Sequence, residues 1–236
     1  MKISVCMATY NGETFILEQL SSILNELKES DEVILSDDHS TDRTLELARS
    51  LHDDRIKIYY NENEKGYASN FENAIVRSTG EVIFLSDQDD VWIPGKVRFM
   101  LEALKHDDLV ISDAAIVDGD LNLLEKSHFD KFGVRTGFWV NFTKTRYIGA
   151  CMAFKRVMLK KLLPMPKKRK YCAHDYWIAM VGETYYKVGL VNIPLLKYRR
   201  HGENASTGGV KSSNSLAHKL KVRGYVLYHL ILRFLK

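Results

Sequence analysis

The residues with the plainest chemical potential are aspartates. Asp37 and Asp38 follow one apolar run, Asp87, Asp89 and Asp90 follow another, and Asp113 follows a third. A lone aspartate in such a place caps a helix or closes a turn. Asp37, Asp38, Asp87, Asp89 and Asp90 converging on one rim would repel one another unless a cation or hydrogen-bond donors sat among them. The spacing Asp87-Gln88-Asp89 offers hard oxygen ligands of the kind that Mg²⁺ or Mn²⁺ takes, with water or phosphate oxygens completing the shell. A cation held there would stabilise a leaving diphosphate as a Lewis acid. No glycine-rich cradle does that work instead, because the chain has neither GxxxxGK[ST] nor GxGxxG.

Such a rim needs several strands that end at one edge. Apolar, β-branched runs over 3–8, 32–36, 56–60, 81–86 and 109–112 read as strands buried on both faces. Helix-period segments lie between them. Ile16, Leu20, Ile23, Leu24 and Leu27 share one face, as do Thr44, Leu47, Ala48 and Leu51. Two further helices are expected over 67–77 and 94–105, the latter with Pro94 in its first turn. The alternation predicts an α/β fold with a mostly parallel central sheet and flanking helices. Ligands of such sheets bind at the C-terminal strand ends. Those ends carry Thr9-Tyr10-Asn11, Asp37-Asp38, the Asp87 cluster and Asp113. Beyond Asp113 the pattern is irregular. Strands are expected at 147–154 and 186–198, and helices over 176–183 and 215–236. The polar stretch 203–215, with Gly208-Gly209, reads as a mobile lid rooted at His201.

Three ordered motifs resemble family 2 glycosyltransferases of the GT-A fold. They are Ser4-Val5-Cys6-Met7-Ala8-Thr9-Tyr10-Asn11, Ser36-Asp37-Asp38-His39-Ser40-Thr41-Asp42-Arg43-Thr44 and Phe84-Leu85-Ser86-Asp87-Gln88-Asp89-Asp90-Val91-Trp92. The last is similar to bacterial enzymes that build rhamnose- or galactose-containing polysaccharides. The resemblance spans roughly residues 1–205. It implies a Rossmann-like nucleotide-sugar-binding half over 1–113 and an acceptor half over 114–205, followed by 206–236 as a loop and an amphipathic helix. It also implies inverting transfer from a UDP- or dTDP-sugar with a divalent metal. Under it, Thr9, Tyr10 and Asn11 line the nucleotide pocket, Asp38 contacts the base, Asp87 faces the ribose and Asp89 holds the metal. Gly66 and Asn70 belong to a donor-side loop. Gly149, in Tyr147-Ile148-Gly149-Ala150-Cys151-Met152, lets substrate approach the backbone. Asp175, after His174 at a helix start, matches the family's general base, with a helix N-cap as its plainer role. His201, in Tyr198-Arg199-Arg200-His201-Gly202, nears the metal or the diphosphate. The Q-x-x-R-W signature of processive members is absent, which implies addition of a single sugar.

Charge adds a second theme. Of the 30 Asp and Glu residues 27 lie in 1–154, whereas 155–236 carries 18 of the 34 Lys and Arg. Residues 155–170 hold eight basic residues and no acidic one. The tail sets Lys219, Lys221, Arg223, Arg233 and Lys236 among apolar and aromatic residues, the composition of a helix lying in a membrane interface. The alternatives are a solvated basic face, or a helix packed on its own domain or on a second subunit of a homodimer. Related bacterial enzymes use polyprenyl-diphosphate-linked glycan acceptors, so the resemblance places the chain on the inner face of the cell membrane. No nucleic-acid partner is expected. The run 3–8 is too short for a signal peptide, and no stretch approaches a membrane span. Three scattered cysteines fit a reduced cytoplasm.

Other readings remain at this point. A sugar-nucleotide pyrophosphorylase would also pair nucleotide and metal, but its Gly-rich, Arg-containing entry loop is missing. A metal-dependent phosphatase or nuclease leaves Thr9-Tyr10-Asn11 with Asp38 unexplained. A non-catalytic binding module of the same fold has no need of an intact D-x-D together with Asp175.

Overall fold

The computed structural model describes residues 1–201 and 215–235. The first half alternates as the sequence predicts. β1 (Ile3–Thr9) leads to α1 (Ile16–Leu24), β2 (Glu32–Asp37) to α2 (Thr44–Ser50), and β3 (Ile56–Tyr60) to α3 (Tyr67–Arg77). Next come β4 (Val82–Asp87), the short β5 (Val91–Trp92) and α4 (Lys96–Ala103). Pro94 lies ahead of α4, whose N-cap is Gly95 in a left-handed conformation (φ 93°). The second half is built from β6 (Leu109–Val117), β7 (Leu123–Glu125), α5 (His128–Phe132), α6 (Phe138–Lys144) and β8 (Met152–Lys155). After them come α7 (Leu159–Leu162), α8 (His174–Tyr185), β9 (Val188–Arg199) and α9 (Leu216–Phe234).

The nine strands of the described residues form one sheet in the order β3-β2-β1-β4-β8-β6-β9-β5, with β7 added on β6. β1 pairs in parallel with β2 and β4, and β2 with β3. β8 then runs antiparallel between β4 and β6. The sheet therefore continues through position 113 without a break. The core strands are fully buried because both faces are covered. Val5, Ile34, Ile83, Phe84, Ile111 and Phe154 are all 0% exposed.

Four expectations are corrected. The 147–154 strand is only β8, because Gly149–Cys151 turns as a 3-10 helix before it. β6 runs past Asp113, which is buried inside it. Its carboxylate accepts hydrogen bonds from Ser127 Oγ (2.5 Å) and Phe129 N (2.9 Å), fixing the start of α5 rather than facing a ligand. α8 begins at His174 with Ala173 as its N-cap, so Asp175 is not the cap. The tail helix is only partly free. Val226 and Leu230 are buried, and Tyr185 donates to the Leu230 carbonyl. Arg233 is buried as well and donates to the carbonyls of Lys161 and Pro164, so it is not a lipid-facing cation. The expected lid at 203–215 lies, but for Ser215, outside the described residues, as does Lys236. Among the described residues no helix is long and apolar enough to cross a membrane.

Candidate active site

The C-terminal ends of β1, β2 and β4 open onto a cavity of about 1000 Å³. Most of the site residues expected from the sequence line it: Thr9, Tyr10, Asn11, Asp38, Gly66, Asn70, Asp87, Asp89, Gly149, Asp175 and His201. Parallel pairing explains the gathering, since Thr9 lies beside Asp37 and Ala8 beside Asp87 in register.

The rim is knit together by side chains that grip backbone. Asn11 holds a left-handed conformation (φ 46°), which asparagine tolerates better than most residues. Its Oδ1 accepts from Thr41 N (2.9 Å), and its own N–H donates to Ser40 Oγ (2.9 Å). Asn70 Nδ2 donates to the Thr9 carbonyl (3.0 Å), and its buried Oδ1 has no hydrogen-bond partner among the described residues. Asp38 is buried, with Asn61 Nδ2 (2.9 Å) and Gly66 N (2.7 Å) donating to its two oxygens. Gly66 reaches that bond at φ 123°, a conformation closed to side chains. Gln88 pairs its amide with the backbone of Tyr10 through both ends.

Only part of the expected acidic rim faces the cavity. Asp37 is 0% exposed, taken up by Thr9 Oγ1 (3.0 Å) and by Ser40 N (2.8 Å) and Oγ (2.5 Å). Asp90 is buried behind the loop, where Arg199 N donates to it (2.9 Å), and its pKa is raised by burial and by Asp89 and Asp87. Strand alternation and turn closure drew these two inward. Asp87 and Asp89 remain on the cavity wall. Burial, then the charges of Asp89 and Asp175, push Asp87 up to about 7, while Lys96 pulls it down.

Lys96 and Arg199 are the residues that sequence reasoning missed. Lys96 is 0% exposed, donates to the Ala150 carbonyl (2.9 Å) and lies over the Trp92 ring at 5.1 Å. Burial lowers its pKa, and Cys151, Asp90 and Asp87 oppose that shift. Its apolar-looking helix position gave no signal. Arg199 donates to the Asp89 carbonyl (2.7 Å) and to Glu18, and so clamps the D-x-D loop from behind. Its signal was the neighbouring Tyr198-Arg199-Arg200-His201 motif. His201 Nε2 meets Asp89 Oδ2 at 2.8 Å, and its ring packs against Phe15.

Across the cavity stands the start of α8. Asp175 is half-buried, its Oδ1 accepting from Tyr176 N (2.7 Å). His174 stacks on Phe71 at 4.0 Å, and neither ring nitrogen has a hydrogen-bond partner among the described residues. Burial lowers its pKa, Asp175 acting against that. Gly149 is required here, because a Cβ at that position would lie 2.8 Å from His174 Nε2. The arrangement sets carboxylates that can share a cation on one wall and a lone carboxylate on the other. Among the described residues no three side chains already form a metal cage. Two carboxylates completed by substrate phosphate oxygens are a usual way of holding Mg²⁺.

The chain belongs to glycosyl transferase family 2, whose sequence profile matches residues 4–163. It is 28% identical over 222 residues to the uncharacterized glycosyltransferase alr2836 of Nostoc, covering 86% of this chain and 66% of that protein. It is 26% identical to the dTDP-rhamnosyl transferase RfbG of Shigella flexneri, covering 84% and 72% of the two chains. With WfgD of Escherichia coli, a UDP-Glc:α-D-GlcNAc-diphosphoundecaprenol β-1,3-glucosyltransferase, it shares 32% identity over 43% of this chain and 40% of the other. The chain thus spans less than two thirds of several curated relatives. Among solved structures, S. aureus TarS with UDP-GlcNAc matches 97% of this chain and 72% of its own (TM-score 0.69, 20% identity). The mannosyltransferase PcManGT of Pyrobaculum calidifontis, solved with GDP-Man and Mn²⁺, matches 98% and 72% (TM-score 0.63, 18% identity). The fold is GT-A. Family membership sets aside the pyrophosphorylase and phosphatase readings.

Proposed function

We propose that this chain is the catalytic domain of an inverting, metal-dependent glycosyltransferase. It would move one sugar from a UDP- or dTDP-sugar to a hydroxyl of a polyprenyl-diphosphate-linked glycan in bacterial surface-polysaccharide synthesis. The observation that carries this reading is the convergence of Asp38, Asp89 and Asp175 on one cavity large enough for a nucleotide sugar. In this reading Asp38 accepts hydrogen bonds from the base, while Thr9, Tyr10 and Asn11 wall the nucleotide. Gly66 and Asn70 line the donor side, the orphaned Asn70 Oδ1 supplying an acceptor for a donor hydroxyl. Asp87 faces the ribose.

Asp89, with His201 beside it, would hold Mn²⁺ or Mg²⁺. The hard oxygen donors of this wall fit such an ion. A bound cation would offset the charge that develops on the departing diphosphate. Asp175 takes the proton from the acceptor hydroxyl as that oxygen bonds to the anomeric carbon. The bond from that carbon to the diphosphate oxygen breaks on the opposite face, and the nucleoside diphosphate leaves with the electron pair. Gly149, on the cavity wall beside His174, lets the sugar approach the backbone.

The membrane reading draws on the outer face of α9. Leu220, Leu227, Tyr228, Ile231 and Phe234 are exposed there, at helical spacing. Of the eight basic residues in 155–170, Lys160, Lys167, Lys168 and Lys170 face solvent, and Lys168 N donates to the α9 residue Tyr225 (3.0 Å). Exposed apolar and cationic groups side by side suit an anionic bilayer surface.

The test is nucleoside-diphosphate release from UDP- and dTDP-sugars with undecaprenyl-diphosphate-linked monosaccharides, with and without Mn²⁺. Metal-dependent release that needs the acceptor supports the reading. No release across the donor panel would refute it in favour of a binding module.

A further inference from the structure

A second, more open cavity of about 310 Å³ adjoins the first. It is lined by Arg135, Trp139, Val140, Thr143, Lys144 and Arg146, and it shares Lys144 and Arg146 with the main cavity. Three of its six walls are cationic and none is acidic. The main cavity, by contrast, presents Asp38, Asp87, Asp89 and Asp175. Arg135 and Lys144 are exposed and form no salt bridge among the described residues. Arg146 is held in place, its Nη1 donating to the Gly133 carbonyl (2.9 Å). Trp139 is 73% exposed, an unusual place for the largest apolar side chain.

The platform that carries these groups is rigid. Both oxygens of Glu183, on α8, accept from the amide of Gly137, the N-cap residue of α6 (3.0 Å each). Asn141 Nδ2 (3.0 Å) and Tyr147 Oη (2.7 Å) donate to the same carboxylate. Glu183 thus pins α6 to the helix that bears Asp175 at its other end. A phosphate group bound at Arg135, Lys144 and Arg146 would sit at a fixed offset from that carboxylate.

We propose that this cationic cavity is the docking site for the diphosphate of the acceptor, with Trp139 against the first units of the attached apolar chain. The inference rests on the lipid-linked acceptor reading given above, and it says where such an acceptor is recognised. Planar guanidinium groups match phosphate oxygens, and an exposed indole suits a boundary between polar and apolar matter. The acceptor's glycan would then extend from this site into the main cavity, toward Asp175.

The probe is farnesyl diphosphate, titrated into the full chain in EDTA and followed by Trp139 emission. Trp92 and Trp177 are buried, so the exposed indole reports the site. Farnesyl diphosphate should change that emission, inorganic pyrophosphate should compete with it, and farnesol should do nothing. Arg135→Ala/Lys144→Ala removes two exposed side chains with no structural bonds and should weaken binding by about ten-fold, the effect of two partly screened contacts. Equal affinity in that variant, or equal binding of farnesol, would overturn the site. The titration uses neither donor nor metal, so a missing transferase activity would count against the function proposed above and not be confused with this result.

Discussion

Gln88 and Tyr10 form a closed pair. Tyr10 N donates to Gln88 Oε1 (2.9 Å), and Gln88 Nε2 donates back to the Tyr10 carbonyl (3.0 Å). A side-chain amide here copies the hydrogen bonding of a neighbouring strand, joining the loops after β1 and β4 across the cavity mouth. Gly12 makes room for it, since a Cβ there would lie 2.4 Å from Gln88 Oε1. Gln88→Ala should raise the donor KM by up to roughly thirty-fold, because two backbone bonds of about 1 kcal/mol each are lost. Steady-state kinetics with varied donor would check this, and an unchanged KM would show the pair to be ornamental.

The two walls of the cavity should fail differently. Asp175→Asn is expected to lower kcat by roughly 10²–10⁴-fold with donor affinity unchanged, since a general base acts on the acceptor. Asp89→Ala should instead abolish metal-stimulated donor binding. Isothermal titration of both variants with nucleotide, with and without Mn²⁺, separates the roles. Loss of donor binding in Asp175→Asn would contradict the assignment.

Gly149→Ala tests the close approach of the 3-10 turn Gly149–Cys151 to His174. The new Cβ would meet His174 Nε2 at 2.8 Å, and stacking on Phe71 leaves that ring little room to retreat. Overpacking of this kind costs about 1–3 kcal/mol. A lower Tm together with reduced turnover is expected. Activity and Tm both at the original level would mean that the ring swings aside freely.

Glu32 sets an acid limit on the fold. Burial acts to raise its pKa, but hydrogen bonds from Lys57, Ser4 and Thr79 outweigh that and hold it at about 2. A folded pKa below the unfolded value gives stability that is present above about 4.5 and is lost as pH falls toward about 2. The slope from this one group is up to ~1.4 kcal/mol per pH unit. Chemical denaturation at pH 6 and pH 3 should show the loss, and Glu32→Gln should be less stable at pH 6 and flatter between the two.

For α9 the outer face can be changed without touching the inner one. Ile231 and Phe234 are exposed, whereas Val226 and Leu230 are buried. Ile231→Ser/Phe234→Ser should leave Tm within a few degrees and abolish co-sedimentation with phosphatidylglycerol vesicles at low salt. Vesicle binding as strong as that of the unaltered chain would assign the stripe to a protein contact instead.

The first half of the chain was legible because its signals are local. Continuous apolar, β-branched runs marked β1 to β4 nearly to the residue, and the polar residues at their ends line the cavity. What could not be read was the side to which each aspartate turns. Asp37, Asp38, Asp89 and Asp90 are chemically alike in sequence, yet Thr9 and Ser40 draw Asp37 inward, and the Arg199 amide does the same to Asp90. The second half was obscure for a different reason. β8 and β6 lie next to each other with 34 residues between their ends, so their pairing is non-local, and α5 and α6 are too short to show a period. Asp175 was found through the His174-Asp175 motif. Glu183, eight residues on and just as consequential for α6, carried no motif at all.

The three thiols have a practical bearing. Cys6, Cys151 and Cys172 are all buried and unbridged, and burial is the main cause that raises each, the latter two to about 12. Thiols so shielded react poorly with alkylating reagents at neutral pH. The native surface is therefore a blank background for site-directed labels. A single cysteine engineered on the outer face of α9, or beside Trp139, would be the sole fast-reacting handle. Spectroscopic probes could then be placed on this protein without first stripping any residue from its core.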